Sequence, residues 1–288
     1  MTQFGENRHT SCKYARKRPF FCRMARKNDL LKTLSTNENL EDSILIYRAH
    51  YTVKWHDTDA NRRMRPSQLL VYMQETANLH LHDSNMDLDK LRDEKGLGFL
   101  LSRVSVCIYH QLHAYDEIDV ETWICEGKGL SFNRCFRIFR GTEIVAEAFT
   151  VWALMDLSNQ KLVRQEQFEY PFTGEAPLSL SLPIRFRVPA MEEMPLVGKR
   201  RIVYSDLDYN GHMNNTHYPD MLCDFTEGIT SKEIIGFSLS YLHEAAFGRN
   251  LSVYRSDLGE EHFFRTVDEE GNTCLEAKLF TKSIEDLK

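Results

Sequence analysis

Two kinds of hydrophobic pattern alternate along this chain, and the alternation occurs twice. In PSQLLVYMQETANLHL (66–81) apolar residues fall at 69, 70, 73, 77 and 79, a spacing that gathers them on one helical face, with Pro66 in the first turn. Four β-rich runs follow: FLLSRVSVCIYHQ, IDVETWIC, SFNRCFRIFR and IVAEAFTVWALMD. Further on, KRRIVYS (199–205) reads as a strand, and THYPDMLCDFTEG (216–228) predicts a shorter helix that Gly228 can end. Four more β-rich runs complete the chain: IIGFSLSYLHE, LSVYRS, HFFRTV and CLEAKLFTK, with Gly271-Asn272 marking a hairpin in the last pair.

Each half is therefore strand, helix, four strands. A single amphipathic helix cannot bury itself, and a five-stranded antiparallel sheet has one apolar face to cover. Wrapping the sheet around the helix satisfies both. The expected fold class is α+β: two tandem hot-dog domains, each an antiparallel sheet wrapped around a central helix. The expected boundaries are a basic N-terminal tail at 1–46, a first hot dog at 47–160, a linker at 161–198 and a second hot dog at 199–288. Residues 171–195 hold five of the eight prolines, which suits an extended, semi-rigid connection.

A short segment before each helix repeats as well. WHDTDANRRMRPS (55–67) lies over YSDLDYNGHMNNT (204–216), matching Asp57 with Asp206, Asp59 with Asp208, Asn61 with Asn210 and Met64 with Met213. The later copy begins like half of a calcium loop, D-x-D-x-N-G, but the glutamate needed at loop position twelve would fall on His217. No metal-ligand spacing of the H-E-x-x-H kind is present, and no metal or cofactor is expected.

Composition narrows the classes. The 288 residues carry a formal charge of -6 and are 42% hydrophobic, ordinary for a globular protein. Nucleic acid is not an expected partner, and no apolar run approaches a membrane span. Seven scattered cysteines without a C-x-x-C pair read as reduced thiols and a cytoplasmic setting. The first thirty residues hold eight Lys or Arg against Glu6 and Asp29. A plastid-targeting role for that tail stays open beside a plain flexible tail.

DLDYNGHMNN (206–215) concentrates the reactive residues. Histidine is a donor or base near neutral pH, and carboxylates supply a general base or a nucleophile. A loop entering a helix also offers free N–H groups and a favourable dipole for negative charge. Gly211 is read as letting backbone approach a substrate. Asn214 and Asn215 read better as helix caps, and His217 and His243 as structural or solvent-facing. In the first copy Arg63 stands where His212 does, and Gln111 or a neighbour stands where Glu244 does. A guanidinium cannot act as a base, so one active site per chain is expected.

With two hot dogs and SDLDYNGHMNNTHY, the chain resembles the acyl-acyl carrier protein thioesterase family over roughly residues 48–282. Family members carry D-x-N-x-H-x-N-N at the second helix, here Asp208, Asn210, His212, Asn214 and Asn215. The run LHEAAFGRN aligns with the family's R-E-C-x-R-D and places Glu244 on its glutamate. Ala245 stands where plant members have cysteine, so no thiol nucleophile exists there. The resemblance implies hydrolysis of acyl-acyl carrier protein to free fatty acid, with Asp208, Asn210, His212 and Glu244 catalytic. Two routes are open: Glu244 or His212 activates water, or Asp208 attacks first to form an anhydride. The first hot dog would hold the acyl tail, with Leu69, Leu70 and Met73 shaping its slot. Lys199, Arg200 and Arg201, and more remotely Arg185 and Arg187, would dock the acidic carrier protein. Rivals are an acyl-CoA thioesterase, a non-catalytic acyl-binding regulator and a dehydratase. The reading leaves room for a homodimer.

Overall fold

The computed structural model of the protein describes residues 45–168 and 174–284, so the basic tail, apart from its last two residues, lies outside the described residues. The first half runs β1 (Ile46–Thr52), α1 (Pro66–Asp83), α2 (Leu88–Lys95), β2 (Leu97–Ile108), β3 (Glu117–Cys125), β4 (Phe132–Arg140) and β5 (Glu143–Asp156). A three-residue strand, β6 (Lys161–Val163), pairs with β5. The second half runs β7 (Leu196–Arg201), α3 (Tyr218–Asp224), β8 (Lys232–Tyr241), β9 (Asn250–Leu258), β10 (Glu261–Val267) and β11 (Thr273–Ser283). Strand order is β1-β3-β4-β5-β2 in one half and β7-β9-β10-β11-β8 in the other, so the two halves are wired identically. This is the tandem hot-dog arrangement.

β2 and β8 join the halves into one antiparallel sheet. The pairing reads the same from either side: Arg103 and Cys107 of β2 face Ser240 and Gly236 of β8, with Ser105 opposite Ser238 between them. Residues alternate across a strand. Val104, Val106, Phe237 and Leu239 therefore point to the shared core, while Ser105 and Ser238 point to the other face. There the linker crosses, and the carbonyls of Leu182 and Pro183 accept hydrogen bonds from the two hydroxyls at 3.2 and 2.9 Å. A Cβ on Gly236 would lie 2.4 Å from the Val106 carbonyl oxygen of the paired strand as well as from the Leu182 side chain, and the backbone clash is what demands glycine there.

Both helices bury one face in the same core, where Leu70 and Met73 of α1 cluster with Met221 and Leu222 of α3. Each such side chain contributes roughly 1.5–3 kcal/mol of burial. The Asp220 carboxylate near the start of α3 accepts the backbone N–H and hydroxyl of Ser67, at 3.0 and 2.6 Å, and so caps α1 across the junction. No described helix is long and apolar enough to cross a membrane.

Three details differ from the pattern-based expectation. α1 extends to Asp83, since Thr76, Ala77, His80 and Leu81 continue its buried stripe. α3 is only seven residues and stops before Gly228, whose left-handed backbone (φ 66°) instead opens a short 3-10 turn. Helix α2 was not anticipated. Asp87 caps its start by accepting N–H bonds from Asp89 and Lys90, and Gly96 ends it in the left-handed conformation.

Candidate active site

Between β7 and α3 the chain folds into a tight loop held largely by backbone. Asp208 N–H donates to the His212 carbonyl (2.8 Å), and Gly211 N–H returns to the Asp208 carbonyl (3.1 Å). One carboxylate oxygen of Asp208, Oδ1, accepts the N–H groups of Asn210 (2.8 Å) and His212 (3.2 Å). Asp206, 3% exposed, accepts the Val203 N–H and pairs with Arg200. Met213 N–H then donates to the Ala245 carbonyl (2.9 Å), and His212 bridges to Ala246. These bonds pin the loop to the segment after β8, which brings Glu244 Oε2 to 3.3 Å from His212 Nε2.

The segment before α1 repeats the bonds made by the loop's backbone N–H groups one for one. Asp59 N–H donates to Arg63 (2.8 Å), Arg62 N–H to Asp59 (3.0 Å), and Asp59 Oδ1 accepts from Asn61 (2.8 Å) and Arg63 (3.0 Å). Met64 N–H donates to Leu112 (2.7 Å), and Arg63 bridges to His113. Leu112 thus corresponds to Ala245 and His113 to Ala246, so Gln111 corresponds to Glu244. The alignment inferred from sequence acquires a register here. What both loops share, Asp59 or Asp208 above all, builds the turn. What differs is His212 for Arg63 and Glu244 for Gln111.

Gly211 has an explanation other than close approach. Its φ is +79°, and Arg62 in the first loop holds the same left-handed turn at +64°. A Cβ on Gly211 would meet nothing within 4 Å. Glycine spares the roughly 1–2 kcal/mol that this conformation costs an L-residue.

Arg92 of α2, absent from the sequence reading, reaches the second loop from the first half. Its guanidinium donates to Asn210 Oδ1 and stacks over the Tyr209 ring, 5.1 Å from the centroid. With its oxygen engaged, Asn210 turns its amide nitrogen toward Asp208 Oδ2, at 3.5 Å. His212 is about one-third exposed and the Glu244 side chain 62% exposed, so water reaches the pair freely. Asn214 caps the 3-10 turn that precedes α3, accepting from the Thr216 N–H (3.0 Å). His217 lies 3.7 Å from Asp206, and His243 faces the Thr273 carbonyl at 2.9 Å, both outside the His212–Glu244 pair.

Leu69, Leu70 and Met73 are at most 2% exposed and belong to the shared core. A largely apolar cavity on α1 lies beyond them, lined by Ala77, Leu81, Leu88, Phe99, Phe132 and Trp152, with Asn78, Asn133 and Arg134 also on its wall; its volume is about 40 Å³. Leu88 and Arg92 are four residues apart and share a helix face, so that face spans roughly 6 Å from the apolar cavity toward the loop. On β7, alternation splits the three expected docking residues: Lys199 and Arg201 are exposed, whereas Arg200 turns inward to Asp206 and Asp224. Arg200 is a structural cation here.

Comparison with known proteins gives a consistent result. Residues 45–168 match the acyl-ACP thioesterase N-terminal domain and residues 193–279 the C-terminal domain of that family. A chloroplastic acyl-[acyl-carrier-protein] hydrolase of Cuphea viscosissima is 22% identical over 217 residues, covering 69% of this chain and 52% of the relative. The chain thus spans about half the length of the curated relatives it matches. An acyl-ACP thioesterase of Bacteroides thetaiotaomicron superposes with a TM-score of 0.75 at 22% identity, covering 82% of this chain and 98% of that one. A 12:0-ACP thioesterase of Umbellularia californica does so at 0.74 and 17%, covering 83% and 98%.

Proposed function

The chain belongs to the acyl-ACP thioesterase family, and from that premise we propose that it hydrolyses the thioester of an acyl-acyl carrier protein, releasing free fatty acid and ending chain elongation. One observation carries this reading: His212 and Glu244 meet on a loop whose copy, built by the same backbone N–H bonds, holds Arg63 and Gln111 instead. A histidine–carboxylate pair open to water is suited to general-base chemistry, and the copy has lost both members.

In the proposed reaction the His212–Glu244 pair takes a proton from water, whose oxygen attacks the thioester carbonyl carbon. Negative charge developing on the carbonyl oxygen is met by the Asn210 amide N–H, which Arg92 holds in place by occupying the amide oxygen. The carbon–sulfur bond then breaks, the thiol leaves with the proton, and the acid remains. Attack by Asp208 is the less favoured route, because its Oδ1 already accepts two backbone N–H groups and is a poorer nucleophile for it. The acyl tail follows the face of α2 toward Ala77, Leu81, Phe99 and Trp152. Lys199 and Arg201, exposed beside the loop, suit an acidic carrier protein.

Release of free thiol from matched acyl-carrier-protein and acyl-CoA substrates tests this reading. Hydrolysis with a higher kcat/KM on the carrier protein is expected. A preference for CoA would make the chain an acyl-CoA thioesterase, and binding without thiol release would make it a regulator.

A further inference from the structure

The first loop still borders an open cavity, larger than the one on α1, of about 350 Å³. It occupies the place in the first copy that the catalytic pair occupies in the second, closed on the far side by Thr230, Lys232 and Ile234 of the second half. Its acids are engaged. Asp59 accepts two backbone N–H groups, Asp220 caps α1 through Ser67, and Asp224 lies 3.5 Å from Arg200. Among the described residues its cations, Arg63, Arg65 and Lys232, have no carboxylate partner within ion-pair distance, and Arg65 is spent on the carbonyls of Thr58 and His56.

Arg63 and Lys232 both line the cavity: Arg63 Nη1 donates to the backbone carbonyl of Lys232 (3.1 Å), and Lys232 Nζ sits 3.4 Å from His262 Nε2. Relative to the second loop, Arg63 for His212 and Gln111 for Glu244 each move the local charge in the positive direction. Met64, Ile108, Ile229 and Ile234 give the same cavity an apolar wall. Unpaired cations beside apolar side chains match an amphiphilic anion, and the volume falls in the range of small-ligand sites.

We propose that this cavity binds a free fatty acid, its carboxylate against Arg63 and Lys232 and its first methylenes against the isoleucines. The site would sense the product that the proposed function releases. The assignment of the ligand as product rests on that reading; the carboxylate-binding chemistry does not.

Calorimetric titration of the full chain with octanoate, 1-octanol and acetate separates the two contributions. Octanoate is expected to bind at least about tenfold more tightly than either control. Arg63→Gln and Lys232→Gln should each weaken octanoate at least tenfold, with unchanged melting temperature and unchanged initial rates of thiol release. Because product also enters the catalytic slot, His212→Ala serves as a second background and should retain the Arg63-dependent binding. Equal affinity for 1-octanol, or full octanoate affinity in both folded variants, would overturn the proposal. Arg63-dependent octanoate binding by a chain that releases no thiol from any acyl substrate would sink the proposed function and leave this site standing.

Discussion

His212 Nε2 lies 3.3 Å from Glu244 Oε2, and this contact is imposed by backbone rather than by the two side chains seeking each other. The Met213–Ala245 hydrogen bond and the His212–Ala246 bridge fix the two segments side by side. The corresponding bonds hold Arg63 beside Gln111's segment, so the two loops share one frame and the histidine–glutamate pair occurs in one of them.

In the proposed reaction Arg92 acts through Asn210. Charge-assisted hydrogen bonds contribute about 1.5–3 kcal/mol, so Arg92→Ala should lower kcat about tenfold or more, with KM for the acyl substrate little changed. Arg92→Lys keeps the charge but not the planar stack on Tyr209 and should recover only part of the rate. Steady-state kinetics with circular dichroism of the variants checks this; wild-type kcat in Arg92→Ala would remove Arg92 from the site.

Acyl-chain length should respond to the cavity on α1. Ala77→Phe or Leu81→Trp fills it and should shift preference toward shorter chains, each excluded methylene costing about 0.8 kcal/mol. Met73→Trp, deep in the core, should instead lower melting temperature, since overpacking costs about 1–3 kcal/mol. Competition assays across chain lengths read both, and retuning by Met73→Trp without loss of stability would return the tail to the start of α1.

Single turnover in ¹⁸O-labelled water detects an anhydride that water opens at the Asp208 carbonyl. Direct attack leaves the label in the released acid and none in the peptide containing Asp208. Label in Asp208, found by mass spectrometry, would establish an anhydride.

His262 gives the fold a pH dependence. Burial holds its pKa below the ordinary histidine value, against the opposing pull of Asp257, with Lys232 and Arg255 reinforcing the depression. The unfolded chain then takes up the proton first. Stability is unaffected well above the ordinary value near 6.5 and falls as pH drops below it toward the depressed folded value. His262→Gln should flatten the melting temperature between about pH 7 and 5; an equally steep decline in that variant would locate the effect elsewhere.

Much of this was legible in the sequence, for identifiable reasons. Strand and helix periodicity gave the repeated unit, and D-x-D-x-N-x-x-M in both loops marked the turn that Asp59 and Asp208 build. Helix α2 escaped because eight residues with only two apolar side chains, Leu88 and Leu91, carry almost no period. Its local signals are the caps alone, Asp87 before it and Gly96 after it. Periodicity marked Leu69, Leu70 and Met73 as the inner face of α1 but says nothing about which turn of that face borders a void. Arg200 was grouped with Lys199 and Arg201 by composition, whereas strand alternation turns it to Asp206.

The most direct measurement is the rate of thiol release from acyl-acyl carrier protein by the wild-type chain, His212→Ala and Glu244→Gln. Wild type should release one thiol per fatty acid formed, and each variant should fall at least about a hundredfold in kcat while melting as wild type does. Hydrolysis at the wild-type rate by both variants would contradict the assignment of the reaction to this pair.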